Sequence, residues 1–192
     1  MANLSTLLGG GGLQSKPVLH VQDVKTGDVG GGFVNSTNTY LTRDINRIVK
    51  NSITGATLTN DGTTSGTVGA VGTQTIVNNP SGSSNNSTHV TLPAGDYYFE
   101  VQMDASGNQQ TTSKLYDKTG TTDLIYIRSY DGLGNVNSHI VSSGYFTLSV
   151  SSNVDVRTAF GADNSTKYDL GGGNLTSASV YEIILDWKIY KL

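Results

Sequence analysis

The sequence lacks several residue types, and each absence excludes a class of structure or function. Its 192 residues include no cysteine, which excludes disulfides, thiolate metal sites and cysteine nucleophiles. Charged residues make up only 14% of the chain and the net charge is −3, so the basic surface typical of proteins that bind nucleic acids or anionic membranes is missing. No apolar run approaches the ~20 residues that cross a bilayer. We therefore expect no nucleic-acid partner and no membrane insertion.

The residues that are abundant indicate a β-rich protein. Glycine accounts for 24 residues, and serine, threonine and asparagine occur throughout the chain. These residues favour turns and extended structure, whereas the runs of alanine, leucine, glutamate and lysine that build helices are scarce. A length of 192 residues fits one domain with appendages.

The final residues, 180–192, have the clearest pattern in the chain. Alternate positions place five large side chains on one face: Tyr181, Ile183, Leu185, Trp187 and Ile189. The opposite face carries Glu182, Asp186 and Lys188, with Ile184 and Tyr190 as apolar exceptions. A period of two predicts a half-buried β-strand. The exceptions suggest that a second sheet or another subunit covers part of the outer face.

Short strands separated by turn residues follow one another along residues 89–160. The best defined of them places Tyr97, Phe99, Val101 and Met103 on one face. The further predicted strands are 18–24, 51–59, 113–117, 123–130, 139–141, 144–150 and 154–160. Residues 33–53 contain isoleucines at helical spacing behind Thr42, but their asparagine, threonine and valine content favours extended chain. This pattern predicts an all-β fold, an antiparallel sandwich.

Two segments of low complexity flank or interrupt the predicted domain, 17–192. Residues 1–16 combine Leu4, Leu7 and Leu8 with four consecutive glycines. This arm is either a disordered tail or a docking arm anchored by the three leucines. Residues 60–88 consist largely of glycine, serine, threonine and asparagine, so we interpret them as an exposed insert with little to bury.

Several motifs together resemble a family of bacteriophage virion proteins with a tumour-necrosis-factor-like (complement-globular-head-like) C-terminal jelly roll. The motifs are P-V-L-H-V-Q-D at 17–23, Y-L-T-R-D-I-N at 40–46, N-S-I-T-G-A-T-L at 51–58, T-L-P-A-G-D-Y-Y-F-E at 91–100, K-L-Y-D at 114–117, S-S-G-Y-F-T-L at 142–148, and the final strand. The resemblance covers residues 17–192 apart from the insert. It implies a jelly-roll sandwich with an extended N-terminal arm, in a structural protein located in the virion. It does not fix a head or tail position.

No reactive site is recognisable in the sequence. A hydrolase needs a nucleophile with a base, or two carboxylates that face each other. The three histidines, His20, His89 and His139, lie in separate segments and outside any recognisable motif, and the aspartates are spread over predicted turns. Asp131 to Asn137 supplies oxygen ligands at alternate positions, as a Ca²⁺ loop does, but Asx-turns that close hairpins explain the same residues better. We therefore expect no enzyme activity, no cofactor and no metal site.

The apolar residues on outer strand faces predict a homotrimer. The predicted contact residues are Ile184 and Tyr190 in the final strand and Tyr98 in the strand near residue 100.

The resulting hypothesis for the function is a short head decoration or fibre protein, attached to other virion proteins by its N-terminal arm. The alternative is a tail-fibre or receptor-binding tip that recognises host surface glycan through loops at 105–112, 131–138 and 161–175, because tyrosine among polar loop residues suits sugar binding.

Overall fold

The computed structural model describes residues 16–26, 40–59, 88–105, 110–131, 138–160 and 181–192. All regular elements in these ranges are β-strands. They are β1 Val18–Thr26, β2 Leu41–Thr42, β3 Arg47–Asn51, β4 Thr57–Thr59, β5 His89–Leu92, β6 Gly95–Ala105, β7 Gln110–Asp117, β8 Thr122–Asp131, β9 Ser138–Leu148, β10 Ser152–Phe160 and β11 Tyr181–Lys191. The expected extended structure after residue 40 is confirmed by β2 and β3.

The strands form two antiparallel sheets. The five-stranded sheet has the order β3-β1-β11-β6-β9, and the six-stranded sheet follows the path β4-β5-β10-β7-β8, with β2 paired to β10. From β5 onward each strand crosses to the opposite sheet, except that β7 and β8 form a hairpin. Such crossing connections between two packed sheets define a jelly roll, so the all-β sandwich expected from the sequence is confirmed.

The core lies between the inner faces of the two sheets. In the five-stranded sheet, β11 pairs with both β1 and β6, so the final strand lies next to the middle of the core. The side chains of Tyr97, Phe99, Val101, Met103, Leu185, Trp187 and Ile189 are at most 1% exposed. Leu115, Ile127, Val154 and Val156 of the six-stranded sheet belong to the same cluster. The predicted alternation of β6 is therefore confirmed from Tyr97 to Met103.

A β-bulge in β11 changes the predicted faces of two isoleucines. Asp23 pairs with Leu185 and the next residue, Val24, pairs with Ile183, so Ile184 is an extra residue opposite β1. Because a bulge interrupts the period of two, Ile183 is 52% exposed and Ile184 only 1%. The expectation that Ile184 lies on the outer face, where it could contact another subunit, is therefore wrong, as is the inward assignment of Ile183.

Residues 43–46 cross from the six-stranded sheet to the five-stranded sheet, and all four are buried. The Arg43 amide donates to the Val156 carbonyl across 2.8 Å. At the other end, the Asn46 side chain accepts from the Val24 amide at 2.9 Å and donates to the Val24 carbonyl at 2.7 Å. These bonds satisfy polar groups that burial would otherwise leave without partners.

Strand β9 is continuous, although the sequence predicted two strands, 139–141 and 144–150. The difference arises at Gly144, which pairs with Phe99. A Cβ at this glycine would stand 3.0 Å from Phe99 Cε1 and 3.1 Å from Ile125 Cδ1. The glycine therefore allows a close approach of side chains from both sheets and does not end the strand.

Several sequence predictions lie outside the described residues. They include Leu4, Leu7 and Leu8 of the arm, the insert apart from Thr88, and the Ca²⁺ loop between Asp131 and Ser138. Thr88, which was assigned to the insert, is fully buried. Its hydroxyl lies 3.5 Å from Asp44 Oδ1, so this residue belongs to the packed domain.

Candidate functional site

The outer face of the five-stranded sheet carries three tyrosines side by side. Tyr190, Tyr98 and Tyr145 occupy paired positions on β11, β6 and β9. The ring centroids of Tyr98 and Tyr145 are 4.9 Å apart, and those of Tyr98 and Tyr190 are 6.1 Å apart. Tyr98 and Tyr190 are the two tyrosines predicted as contact residues. Tyr145 was missed as a contact residue, although its position before the inward-facing Phe146 would have placed it on the outer face.

Two exposed aliphatic side chains lie further along the same outer face. Val141 on β9 is 58% exposed and Ile183 on β11 is 52% exposed. We call this outer sheet face the tyrosine face; Glu100, Lys188 and Gln102 lie between the tyrosine row and the two aliphatic side chains. Exposed apolar side chains on the outer face of an antiparallel sheet are typical of interaction surfaces.

A carboxylate borders the tyrosine row. The Tyr190 hydroxyl donates to Glu100 Oε2 at 3.4 Å. Burial raises the pKa of Tyr190, and the neighbouring Glu100 carboxylate raises it further. Tyr190 therefore remains a neutral hydrogen-bond donor near pH 7.

A polar network lies beside the tyrosine row on the same outer face. His20 Nε2 and Gln22 Nε2 both contact Asp186 Oδ1, the latter at 3.0 Å. Burial by itself would raise the pKa of Asp186, but the hydrogen bonds from His20 and Gln22 and nearby positive charge lower it overall. The carboxylate is therefore ionised at neutral pH, and it links β1 to β11 through side chains as well as through the backbone.

A cavity of about 140 Å³ opens between the polar network and the end of the sheet. Its lining consists of Gln102, Met103, Asp104, His139, Ile183, Ile184 and Asp186. His139 Nδ1 lies 2.8 Å from Asp104 Oδ1. The face thus holds two histidine–carboxylate pairs, His20–Asp186 and His139–Asp104, and neither pair includes a hydroxyl nucleophile.

The sequence did not reveal these pairs because their members are far apart along the chain. His20 and Asp186 are 166 positions apart, and Asp104 and His139 are 35 apart. Strand register alone brings them together. In the described part of the chain, no group of three or more histidine or acidic side chains could hold a metal ion. The same ranges contain no helix long and apolar enough to span a membrane.

Comparisons with known proteins reveal only weak similarity to solved structures. No family model matches the chain, and no curated protein matches it. Among solved structures, the globular domain of zebrafish complement 1qA protein aligns with a TM-score of 0.41 and 9% identity, over 92% of this chain and 98% of that one. A carbohydrate-binding module from Cellvibrio mixtus lichenase 5A, solved with cellotriose, aligns with a TM-score of 0.29 and 11% identity, over 85% and 98% of the two chains.

Both TM-scores are too low to support an argument about function, so the fold class rests on the strand order described above. That order agrees with the jelly-roll part of the resemblance found in the sequence. The bacteriophage part of the resemblance stays a prediction.

Proposed function

We propose that the chain is a non-enzymatic structural protein that assembles as a homotrimer through the tyrosine face. The observation that carries the proposal is the row of Tyr98, Tyr145 and Tyr190, with exposed Val141 and Ile183 further along the same sheet face. Tyrosine is enriched in the buried centres of protein interfaces, because its ring supplies apolar area and its hydroxyl keeps a polar partner. A second and third copy of the chain would cover this face.

Burial of the tyrosine face between subunits would stabilise a closed oligomer. Each tyrosine can bury up to about 150–250 Å² of surface, and apolar burial contributes about 25 cal/mol per Å². Three subunits around a threefold axis would give each tyrosine face a neighbour and leave no open contact for further growth. The jelly roll carries no cysteine, so noncovalent contacts of this kind would hold the assembly together.

The resemblance to phage virion proteins supports a place on the surface of a particle, as a short head decoration or fibre protein. The arm, residues 1–16, precedes β1, which is part of the five-stranded sheet. In this proposal Leu4, Leu7 and Leu8 dock on other virion proteins, capsid or tail. The alternative, a receptor-binding tip for host glycan, invoked loops at 105–112, 131–138 and 161–175, which lie largely outside the described residues.

Ile183→Asp should dissociate the oligomer without unfolding the subunit. Ile183 is 52% exposed in the single chain, so an aspartate there is solvated in the monomer but desolvated in the trimer. Burying an unpaired carboxylate costs several kcal/mol, and we expect the dissociation constant to rise about 100-fold or more. Light scattering coupled to size-exclusion chromatography of the full chain measures the mass.

Val150→Asp is the matched control. Val150 is 57% exposed and lies in the bend after β9, outside the tyrosine face. Its replacement should leave the mass at three subunits. A wild-type chain that is monomeric at micromolar concentration would refute the trimer, and so would an unchanged mass for Ile183→Asp.

Quantitative mass spectrometry of purified virions tests the particle role. A surface decoration should be present in tens to hundreds of copies per particle, and a tail component in a handful. For a trimer, the copy number should be a multiple of three. Absence of the protein from washed virions would overturn the structural role and leave the oligomer result standing.

A further inference from the structure

The outer face of the six-stranded sheet holds a second group of tyrosines, on the opposite side of the sandwich from the tyrosine face. We call it the tyrosine–cation cluster. It consists of Tyr40, Lys114, Tyr116, Asp123, Tyr126, Asp155 and Arg157. Strand pairing sets these residues beside one another: Arg157 pairs with Lys114, and Lys114 pairs with Tyr126.

A β-bulge in β8 directs two members of the cluster to the same side. Leu115 pairs with Ile125, whereas the next residue, Tyr116, pairs with Asp123, so Leu124 is an extra residue. Without the bulge, positions 123 and 126 would point to opposite faces of the strand. Bulges commonly redirect a side chain at a functional position, and this one brings Asp123 within reach of Tyr126.

The ring of Tyr126 is both exposed and fixed in place. It is 63% exposed, more than any other large hydrophobic side chain among the described residues. Its hydroxyl donates to Asp123 Oδ2 at 2.7 Å. This hydrogen bond raises the pKa of Tyr126, so the phenol stays neutral. An exposed ring with a fixed orientation offers a flat apolar surface at little cost in side-chain entropy.

The charges of the cluster compensate one another. Lys114 Nζ lies 2.6 Å from Asp123 Oδ1, and Arg157 Nε lies 2.9 Å from Asp155 Oδ1. Both cations also contact aromatic rings: Lys114 Nζ is 4.0 Å from the Tyr40 centroid, and the Arg157 guanidinium carbon is 3.6 Å from that of Tyr116. An ionic ligand would meet a group of its own charge sign beside each group of opposite sign, so the cluster favours an uncharged partner.

The charged groups of these pairs can still form hydrogen bonds with hydroxyl groups of a ligand. A lysine ammonium has three donor hydrogens, of which the Asp123 contact uses one. A carboxylate has about four lone-pair sites, and Lys114 and Tyr126 each occupy one on Asp123. Neighbouring hydroxyls of a ligand could therefore donate to the carboxylate and accept from the ammonium while its carbon skeleton lies on the ring.

We propose that the tyrosine–cation cluster binds an uncharged glycan, with one pyranose ring stacked on Tyr126 and its hydroxyls bonded to Asp123 and Lys114. The C–H face of a pyranose is apolar and slightly positive, which matches the negative face of an aromatic ring. The site lies on the sheet and not in the loops considered from the sequence. It does not depend on the trimer, because the tyrosine face is on the other side of the sandwich.

Saturation-transfer NMR with the full chain tests the site. The probes are neutral trisaccharides of glucose, mannose and galactose, with a uronic acid trisaccharide and a glucosamine trisaccharide as charged arms. We expect at least one neutral trisaccharide to bind. Tyr126→Ala should weaken that binding about tenfold or more. Tyr126→Phe keeps the aromatic ring but loses the hydrogen bond to Asp123 that fixes its orientation, so it should weaken binding less.

Tyr145→Ala is the control, because it removes another exposed tyrosine, 42% exposed, from the opposite face. Glycan binding should persist in this variant even if the oligomer dissociates, so failure of the trimer and failure of the glycan site are distinguishable. The absence of binding by every neutral trisaccharide at millimolar concentration would overturn the proposal. Equal binding by wild type and Tyr126→Ala would do the same, as would binding confined to a charged probe.

Discussion

Replacing Trp187 by alanine should lower the free energy of unfolding by about 3–5 kcal/mol, because it opens a cavity in the centre of the core. Trp187 is fully buried. It lies on β11 between Val21 of β1 and Val101 of β6, so the surrounding strands are held on both sides and can collapse little into the space. Urea unfolding monitored by far-ultraviolet circular dichroism measures the change.

Two control variants test whether the lost side-chain volume causes the fall in the free energy of unfolding. Trp187 Nε1 has no hydrogen-bond partner in the described part of the structure, so Trp187→Phe loses volume but no hydrogen bond and should cost clearly less than the alanine variant. Lys188→Ala changes the adjacent, partly exposed position and should stay within about 1 kcal/mol. A cost for Trp187→Ala no greater than for Lys188→Ala would show that the core can repack.

Two neighbouring strands of the five-stranded sheet, β6 and β11, illustrate how far the sequence predicts the fold. In β6 the hydrophobic period of two runs without interruption from Tyr97 to Met103, and the burial of every inward residue follows from it. In β11 the same reasoning succeeds for Leu185, Trp187 and Ile189 but fails for Ile183 and Ile184. A bulge is a mismatch between two paired strands, so it cannot be read from one strand alone.

The surface sites were less predictable than the core, for a related reason. Tyr98 and Tyr190 could be assigned to an outer face from their own strands, but the row they form with Tyr145 depends on the pairing of β6 with both neighbours. The contact between Asp123 and Tyr126 requires the bulge in β8. Local pattern thus predicts which face a residue occupies, while strand register decides which residues meet.

Residues 43–46 show a further limit of pattern recognition, because they bury charge where the sequence suggested extended chain. Arg43 is 1% exposed, and Asp23 and Asp44 are buried nearby. Burial lowers the pKa of Arg43 to about 10, and the negative charges of Asp23, Asp104 and Asp44 oppose that effect. The guanidinium is therefore charged at neutral pH. It places a positive charge near the buried Asp23 and Asp44 and the partly exposed Asp104.

Arg43→Met should destabilise the domain by about 3–5 kcal/mol, because it removes a buried positive charge close to the buried Asp23 and Asp44 while keeping most of the side-chain volume. Arg43 also connects the two sheets. Its amide donates to Val156 of β10, and its Nη2 lies 3.3 Å from the Asp104 carbonyl of β6 and 3.4 Å from the Ile184 carbonyl of β11. Loss of the two Nη2 bonds, with the backbone bond to Val156 kept, should loosen the edge of the sandwich where the bulge lies.

Arg47→Met is the matched control for Arg43→Met, four residues further along the chain. Arg47 is only partly buried, and its Nη1 donates to Gln22 Oε1 at 3.3 Å. A partly solvated hydrogen bond of this kind contributes about 1 kcal/mol, so the control should unfold close to wild type in urea. Arg43→Lys keeps the charge but lacks the planar fork of donors that reaches two carbonyls, and its cost should fall between the two methionine variants. If Arg43→Met were no less stable than Arg47→Met, the buried charge would not hold the sheets together.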